Sequence, residues 1–132
     1  MTIKKITNWF RSLFRKHYSF QDLKFKTHAV KAYAVQARLD LGNDLQISVV
    51  AMKDKDQSFG GLYGNASKGT YEVAVFRNDS MLPLTSYDDV LGWQTQDDIN
   101  KLMDNLQGDG AKDFVDQLHL AKSKNRAELG LD

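Results

Sequence analysis

The sequence predicts an α+β protein: an N-terminal amphipathic helix, a three- to four-stranded antiparallel sheet, and two C-terminal helices. Two changes of period carry this reading. Apolar residues recur at steps of three and four before residue 19 and again after residue 95, but at steps of two between about Phe25 and Phe76. Short turn-forming clusters, Gly42-Asn43-Asp44 and Asn78-Asp79-Ser80, divide the two-residue pattern into runs of strand length.

The first helix is expected over residues 3–18. Ile3, Ile6, Phe10, Leu13, Phe14 and His17 fall on one face, and Lys4, Lys5, Asn8, Arg11, Ser12 and Arg15 take the other. In the first long strand Tyr33, Val35, Ala37, Leu39 and Leu41 alternate with Ala34, Gln36, Arg38 and Asp40. Gly42-Asn43-Asp44 turns the chain into a second strand, Leu45 to Met52, which makes a hairpin. The strand Tyr71 to Phe76 has no Pro or Gly and is placed at the centre, with Val73 and Val75 on one face and Ala74 and Phe76 on the other. Phe76 is read as a core ring. Met81-Leu82-Pro83-Leu84 returns as a short edge strand, because Pro83 cannot donate to a ladder.

Thr95 with Asp98 forms an acidic capping box for the next helix, whose stripe is Ile99, Leu102, Met103 and Leu106 and whose stop is Gly108. The last helix starts near Ala111, with Phe114, Val115, Leu118 and Ala121 inward. Residues 122–132 are expected to fray. The 132 residues suit one domain: a basic arm over 1–21, a body over 22–121 and a tail over 122–132.

Composition excludes several chemistries. With no cysteine there is no thiol nucleophile, disulfide or thiolate metal site. No apolar run is long enough to span a bilayer, and Arg11 and Arg15 interrupt any signal-peptide core. The net charge of +1 conceals a split: residues 1–31 carry eight Lys/Arg against Asp22 alone, and the remaining chain is acidic. Such an arm either meets an anionic partner or folds back on its own acidic body. Lys4, Lys5, Arg11, Arg15 and Lys16 are therefore candidate binding residues, for nucleic acid or an anionic membrane surface.

The stretch Ser58 to Thr70 holds Gly60, Gly61, Gly64 and Gly69. It is not a P-loop, because Lys68 precedes the last glycine and the segment leads into a strand. It is not a calcium loop either. Asp54, Asp56 and Ser58 have ligand spacing, but Phe59 stands where a turn needs Gly and Asn65 where the ion needs a bidentate Glu. It reads as a connection presenting Phe59 and Tyr63 at one end of the sheet. His17, His28 and His119 have no metal-ligand spacing, and no motif calls for a cofactor. Asp88-Asp89 stays a candidate site for a small metal-dependent hydrolase, since no helix start accounts for it.

Phe59-Gly60-Gly61, then Thr70 to Phe76, then Asp88-Asp89-Val90-Leu91-Gly92-Trp93-Gln94-Thr95 with Asp98-Ile99, resembles a pattern in small, mostly uncharacterised proteins of tailed bacteriophages. The resemblance covers about residues 45–107 and brings no catalytic residues with it. It implies an accessory protein in the cytoplasm of an infected bacterium. Such a protein would act without catalysis, binding and modulating or inhibiting a host or defence protein, as in anti-CRISPR-type inhibition. Within the pattern, Gly92 is expected to let the chain bend from strand into helix.

Overall fold

The computed structural model describes residues 16–53 and 62–130. The predicted helix up to residue 15, Lys4, Lys5, Arg11, Arg15, Phe59, Gly60, Gly61 and the start of the rejected calcium run lie outside the described residues. The fold class is α+β, an antiparallel sheet followed by two helices. The sheet has six strands among the described residues, not three or four: β1 (Lys26–Thr27), β2 (Ala34–Gly42), β3 (Leu45–Met52), β4 (Tyr71–Arg77), β5 (Ser80–Met81) and β6 (Val90–Gln94). Helix α1 is Gln96–Asn105 and helix α2 is Ala111–Glu128. The order across the sheet is β1-β2-β3-β4, and β5 and β6 share the far edge of β4.

Two tight hairpins set the register. Asn43 and Asp44 have φ of 54° and 63°, and Asn78 and Asp79 have φ of 49° and 67°. Both loops thus place two residues in the left-handed region, the geometry whose twist matches paired strands. Asn and Asp tolerate it because their short polar side chains bond locally. β5 consists of Ser80 and Met81 only; Leu82 still donates its N–H to the Val75 carbonyl (2.8 Å), and Leu82, Pro83 and Leu84 are buried.

Cross-strand partners share a face, so the register identifies the core side. Ala37 lies opposite Val49, Leu39 opposite Ile47, Ile47 opposite Val75 and Val49 opposite Val73. Ile47, Val49, Val73 and Val75 have no exposed surface. They meet Ile99, Met103 and Leu106 of the α1 region and Ala111 and Val115 of α2 in one cluster. Fully burying an Ile, Leu or Met side chain stabilises by roughly 1.5–3 kcal/mol, so the α1 stripe is what fastens helix to sheet. Phe20, Phe25 and Tyr71 close the core at the lower end, with ring centroids 5.2–5.9 Å apart. Burial there pushes the Tyr71 hydroxyl above its ordinary pKa.

Phe76 is not a core ring. It is half-buried on the face opposite the core, and the Arg38 guanidinium lies over it, 4.9 Å from the ring centroid. The alternation in β4 is as the sequence reads it, but the helices cover only the Val73 and Val75 side.

Residues 16–18 are not helical. The backbone groups of this entry segment are bound by α1 and its following turn. Tyr18 donates its N–H to the Gln107 side chain (2.7 Å), and Gln107 Nε2 donates back to the Tyr18 carbonyl (2.9 Å). Phe20 donates its N–H to Asn100 Oδ1 (2.8 Å), and His17 Nε2 lies 2.6 Å from Asp104 Oδ1. Asn100 and Asp104, four residues apart, lie on one helix face. The tail also departs from expectation: α2 continues to Glu128, and Ala121 is exposed rather than inward. Two contacts hold its far half, Lys122 Nζ to Asp89 Oδ1 (3.0 Å) and Asn125 Nδ2 to the Ser86 carbonyl (2.8 Å).

Candidate interaction surface

The glycine-rich connection ends by crossing the start of β4. Tyr63 uses its carbonyl to accept the Trp93 N–H of β6 (2.6 Å), and Gly64 uses its carbonyl to accept the Met52 N–H of β3 (3.0 Å). The crossing backbone lies directly on β4. A Cβ at Gly64 would sit 2.6 Å from the Tyr71 Cα, closer than any side chain tolerates. Asn65 then spends its side chain locally, its Oδ1 accepting the Ser67 N–H (3.0 Å) and hydroxyl (2.6 Å). The Asn65 side-chain oxygen is thus committed to a turn, which suits a connection and not an ion loop.

Next to the crossing, β6 is irregular. Tyr71 pairs with Gln94 and Val73 with Leu91, so Gly92 and Trp93 together oppose Glu72 in a bulge. Trp93 occupies the left-handed region with φ of 56°. A bulky residue there is a genuine outlier, costing of order 1–3 kcal/mol that the surroundings must offset. Gly92 does not make this bend; Trp93 does. Gly92 is needed because the Tyr63 side chain lies on it: a Cβ would meet Tyr63 Cβ at 2.5 Å.

The result is an aromatic pair on the surface. The Tyr63 and Trp93 rings stand edge to face, with centroids 6.4 Å apart and planes at 72°. Each residue keeps 56% of its surface exposed. Bulged β-strand backbone, a strained residue and an exposed tryptophan coincide at one edge of the sheet. Tyr63 was legible from the sequence as a presented residue. Trp93 was not, and the only signal was an aromatic directly after a glycine at a strand end.

The other candidate residues are dispersed. Lys16 turns toward its own chain, with Nζ 3.5 Å from Asp22 Oδ1 and 5.0 Å from the Tyr18 ring centroid. Asp22 is itself held below its ordinary pKa, first by the Ser19 N–H and also by Lys16. Asp89 is taken by Lys122. The Asp88 carbonyl accepts from the N–H groups of Leu84 (3.2 Å) and Thr85 (3.0 Å), while the residue itself is exposed. Asp88 and Asp89 therefore stand in a structured turn beside α2. Among the described residues no group of three or more His, Cys, Asp or Glu side chains is placed to hold a metal ion. No helix among them is long and apolar enough to cross a membrane.

No family model matches this chain, and no curated protein or solved structure matches it.

Proposed function

We propose that this is a non-enzymatic binding protein that recognises another protein through the surface centred on Tyr63 and Trp93. One observation carries the reading: Trp93 is held at φ of 56° with over half its surface exposed, its N–H fixed by the Tyr63 carbonyl. The fold spends backbone strain to present a large aromatic to solvent, where it contributes little to the core. Exposed, rigidly held Trp and Tyr are the side chains that dominate the energetics of protein interfaces. Strained backbone gathers where function requires it.

The biological setting rests on the resemblance of the spaced pattern over about residues 45–107, which includes Trp93, to tailed-phage accessory proteins. In that setting the partner is a host or defence protein in the cytoplasm of an infected bacterium, and the outcome is modulation or inhibition. Anti-CRISPR-type inhibition is one form of it.

The test is affinity capture from bacterial lysate with the wild-type chain and with Tyr63→Ala/Trp93→Ala, both checked for folding. The expected result is one stoichiometric protein retained by the wild type and lost from the variant. Equal capture by both places recognition elsewhere and overturns the assignment.

A further inference from the structure

We propose that the concave groove over the paired strands β1 and β2 binds the sugar-phosphate backbone of a single-stranded nucleic acid. The groove, of about 460 Å³, is lined by Lys24, Lys26, Thr27, Ala29, Gln36 and Arg38. It thus contains three cations and no carboxylate. Lys26 lies opposite Gln36 in the ladder, and Arg38 follows two residues along β2. Partners in register and residues two apart share a face, so Lys26, Gln36 and Arg38 project together from the side away from the core. Lys53 Nζ donates to Thr27 Oγ1 (2.8 Å) on the other face of this edge, where it ties β1 to the end of β3.

Among the described residues these cations are not held in ion pairs, and Asp40, two residues along β2 from Arg38, uses its carboxylate to accept the Gly42 N–H (3.0 Å). Lys16, Lys112 and Lys122 each sit within 3.5 Å of a carboxylate, from Asp22, Asp116 and Asp89 respectively. Among the described residues Lys24, Lys26 and Arg38 have no such partner. A lysine on a short edge strand also guards against edge-to-edge pairing, which accounts for Lys26 on β1. It does not require that the guanidinium of Arg38, on β2 past the two residues that β1 covers, be seated over an aromatic ring. Arg38 is fixed by the Phe76 ring beneath it and remains exposed. A guanidinium seated over a ring and exposed can bind phosphate bidentately or stack with a base.

Cations that meet phosphate, beside a ring-backed arginine that can take a base face, match a backbone whose bases are accessible, which a single strand offers and a duplex or a bilayer does not. Gln36 adds an amide donor suited to phosphate and sugar oxygens. The groove is on the β1 edge, and the Tyr63 and Trp93 pair is at the β6 edge, so the two sites are independent.

The experiment is fluorescence anisotropy of a short labelled oligothymidylate across a salt series. The comparison arms are a duplex of equal length, phosphatidylserine vesicles and polyglutamate. For single strands log K falls with log salt by about 0.7 per phosphate neutralised. Lys24→Ala with Lys26→Ala should therefore flatten the slope by about 1.4. Arg38→Lys, which keeps the charge but loses the plane, should weaken binding while leaving the slope unchanged. All of these side chains are exposed, and a thermal melt checks each fold. Trp93→Ala should bind the oligonucleotide as the wild type does. No binding at low salt, a slope that Lys24 and Lys26 do not affect, or tighter binding to duplex, vesicles or polyglutamate would each overturn the proposal.

Discussion

The Trp93 N–H donates to the Tyr63 carbonyl at 2.6 Å, and this bond ties the glycine-rich connection to the bulge of β6. It also holds Trp93 in a backbone region that favours glycine. The strain is of order 1–3 kcal/mol, and the edge-to-face stack on Tyr63 offsets about 0.5–1.5 kcal/mol of it. Trp93→Gly loses the stack but relieves the strain, so its stability should fall within about 1 kcal/mol of wild type. Trp93→Ala loses the stack and keeps the strain, and should be the less stable of the two. Urea unfolding decides between them; an alanine variant more stable than the glycine variant would show that the backbone there is unstrained.

Gly92 and Gly64 carry the second prediction. At Gly92 an added Cβ meets Tyr63 Cβ at 2.5 Å, and at Gly64 it meets the Tyr71 backbone at 2.6 Å. Overpacking costs typically 1–3 kcal/mol where neighbours can move. The Tyr63 Cβ can retreat only if the connection shifts and loosens its bond to Trp93, so Gly92→Ala should cost at least that much and separate the two rings. Near-ultraviolet circular dichroism should register that separation. Backbone in a central strand cannot give way, so Gly64→Ala should be the more destabilising variant. Equal small losses from both would contradict the crossing described above.

The two faces of β4 differ in what they bury. Ile47 is fully buried opposite Val75, and Ile47→Ala should cost about 2–5 kcal/mol. Phe76 is half-exposed, and its contact with Arg38 is worth about 0.5–1 kcal/mol at such a site. Phe76→Ala should therefore cost less than Ile47→Ala, by chemical denaturation, and a double-mutant cycle with Arg38→Ala should recover the coupling. A loss at Phe76 as large as at Ile47 would place its ring in the core after all.

Much of this fold was written in local signals. The hairpin turn at Asn43-Asp44, the strand from Tyr71, the capping box at Thr95 and the α1 stripe all follow from residue types within a few positions of one another. What escaped depends on contacts between distant segments. β1 has two residues and β6 a bulge, so neither shows a sustained period. The far half of α2 looks too polar to pack, yet Lys122 and Asn125 anchor it through polar groups. The entry strap at residues 17–20 takes its partners from residues 80 to 89 positions away. In the candidate site Tyr63 could be read because glycines surround it, whereas the role of Trp93 depends on a carbonyl that arrives from another part of the chain.

The capping box gives a pH dependence. Thr95 Oγ1 accepts the Asp98 N–H (3.2 Å), and Asp98 Oδ2 accepts the Thr95 N–H (3.0 Å) and hydroxyl (2.9 Å). The Thr95 backbone N–H, and then its hydroxyl, hold the Asp98 carboxyl below its ordinary pKa. Because the folded value lies below the unfolded one, the stabilisation is complete above the unfolded pKa of about 3.9 and is lost as pH falls through the folded value. Thr95→Ala removes the hydroxyl and should move the Asp98 titration part of the way back up. Carboxyl chemical shifts followed by NMR give the titration directly; an Asp98 that titrates at its ordinary value in the wild type would remove the box.

The last prediction concerns the end of α2. Lys122 Nζ reaches Asp89 Oδ1, and Asn125 Nδ2 reaches the Ser86 carbonyl, so two side chains one turn apart clamp the turn before β6. Both members of the Lys122–Asp89 pair are about a third exposed, which limits the pair to roughly 0–1 kcal/mol. The neutral bond from Asn125 contributes about 0.5–1.5 kcal/mol. Removing residues 122–132 should therefore cost about 1–2 kcal/mol in total. The loss should also be local: amide exchange should quicken from residue 84 to 89 while Ile47 and Val75 stay protected. Asn125→Ala should reproduce more of the effect than Lys122→Ala, because an amide hydrogen bond does not depend on salt screening. If truncation leaves both stability and exchange in the 84–89 turn unchanged, the far half of α2 does not clamp it, and Asp89 is as free to act on a ligand as Asp88.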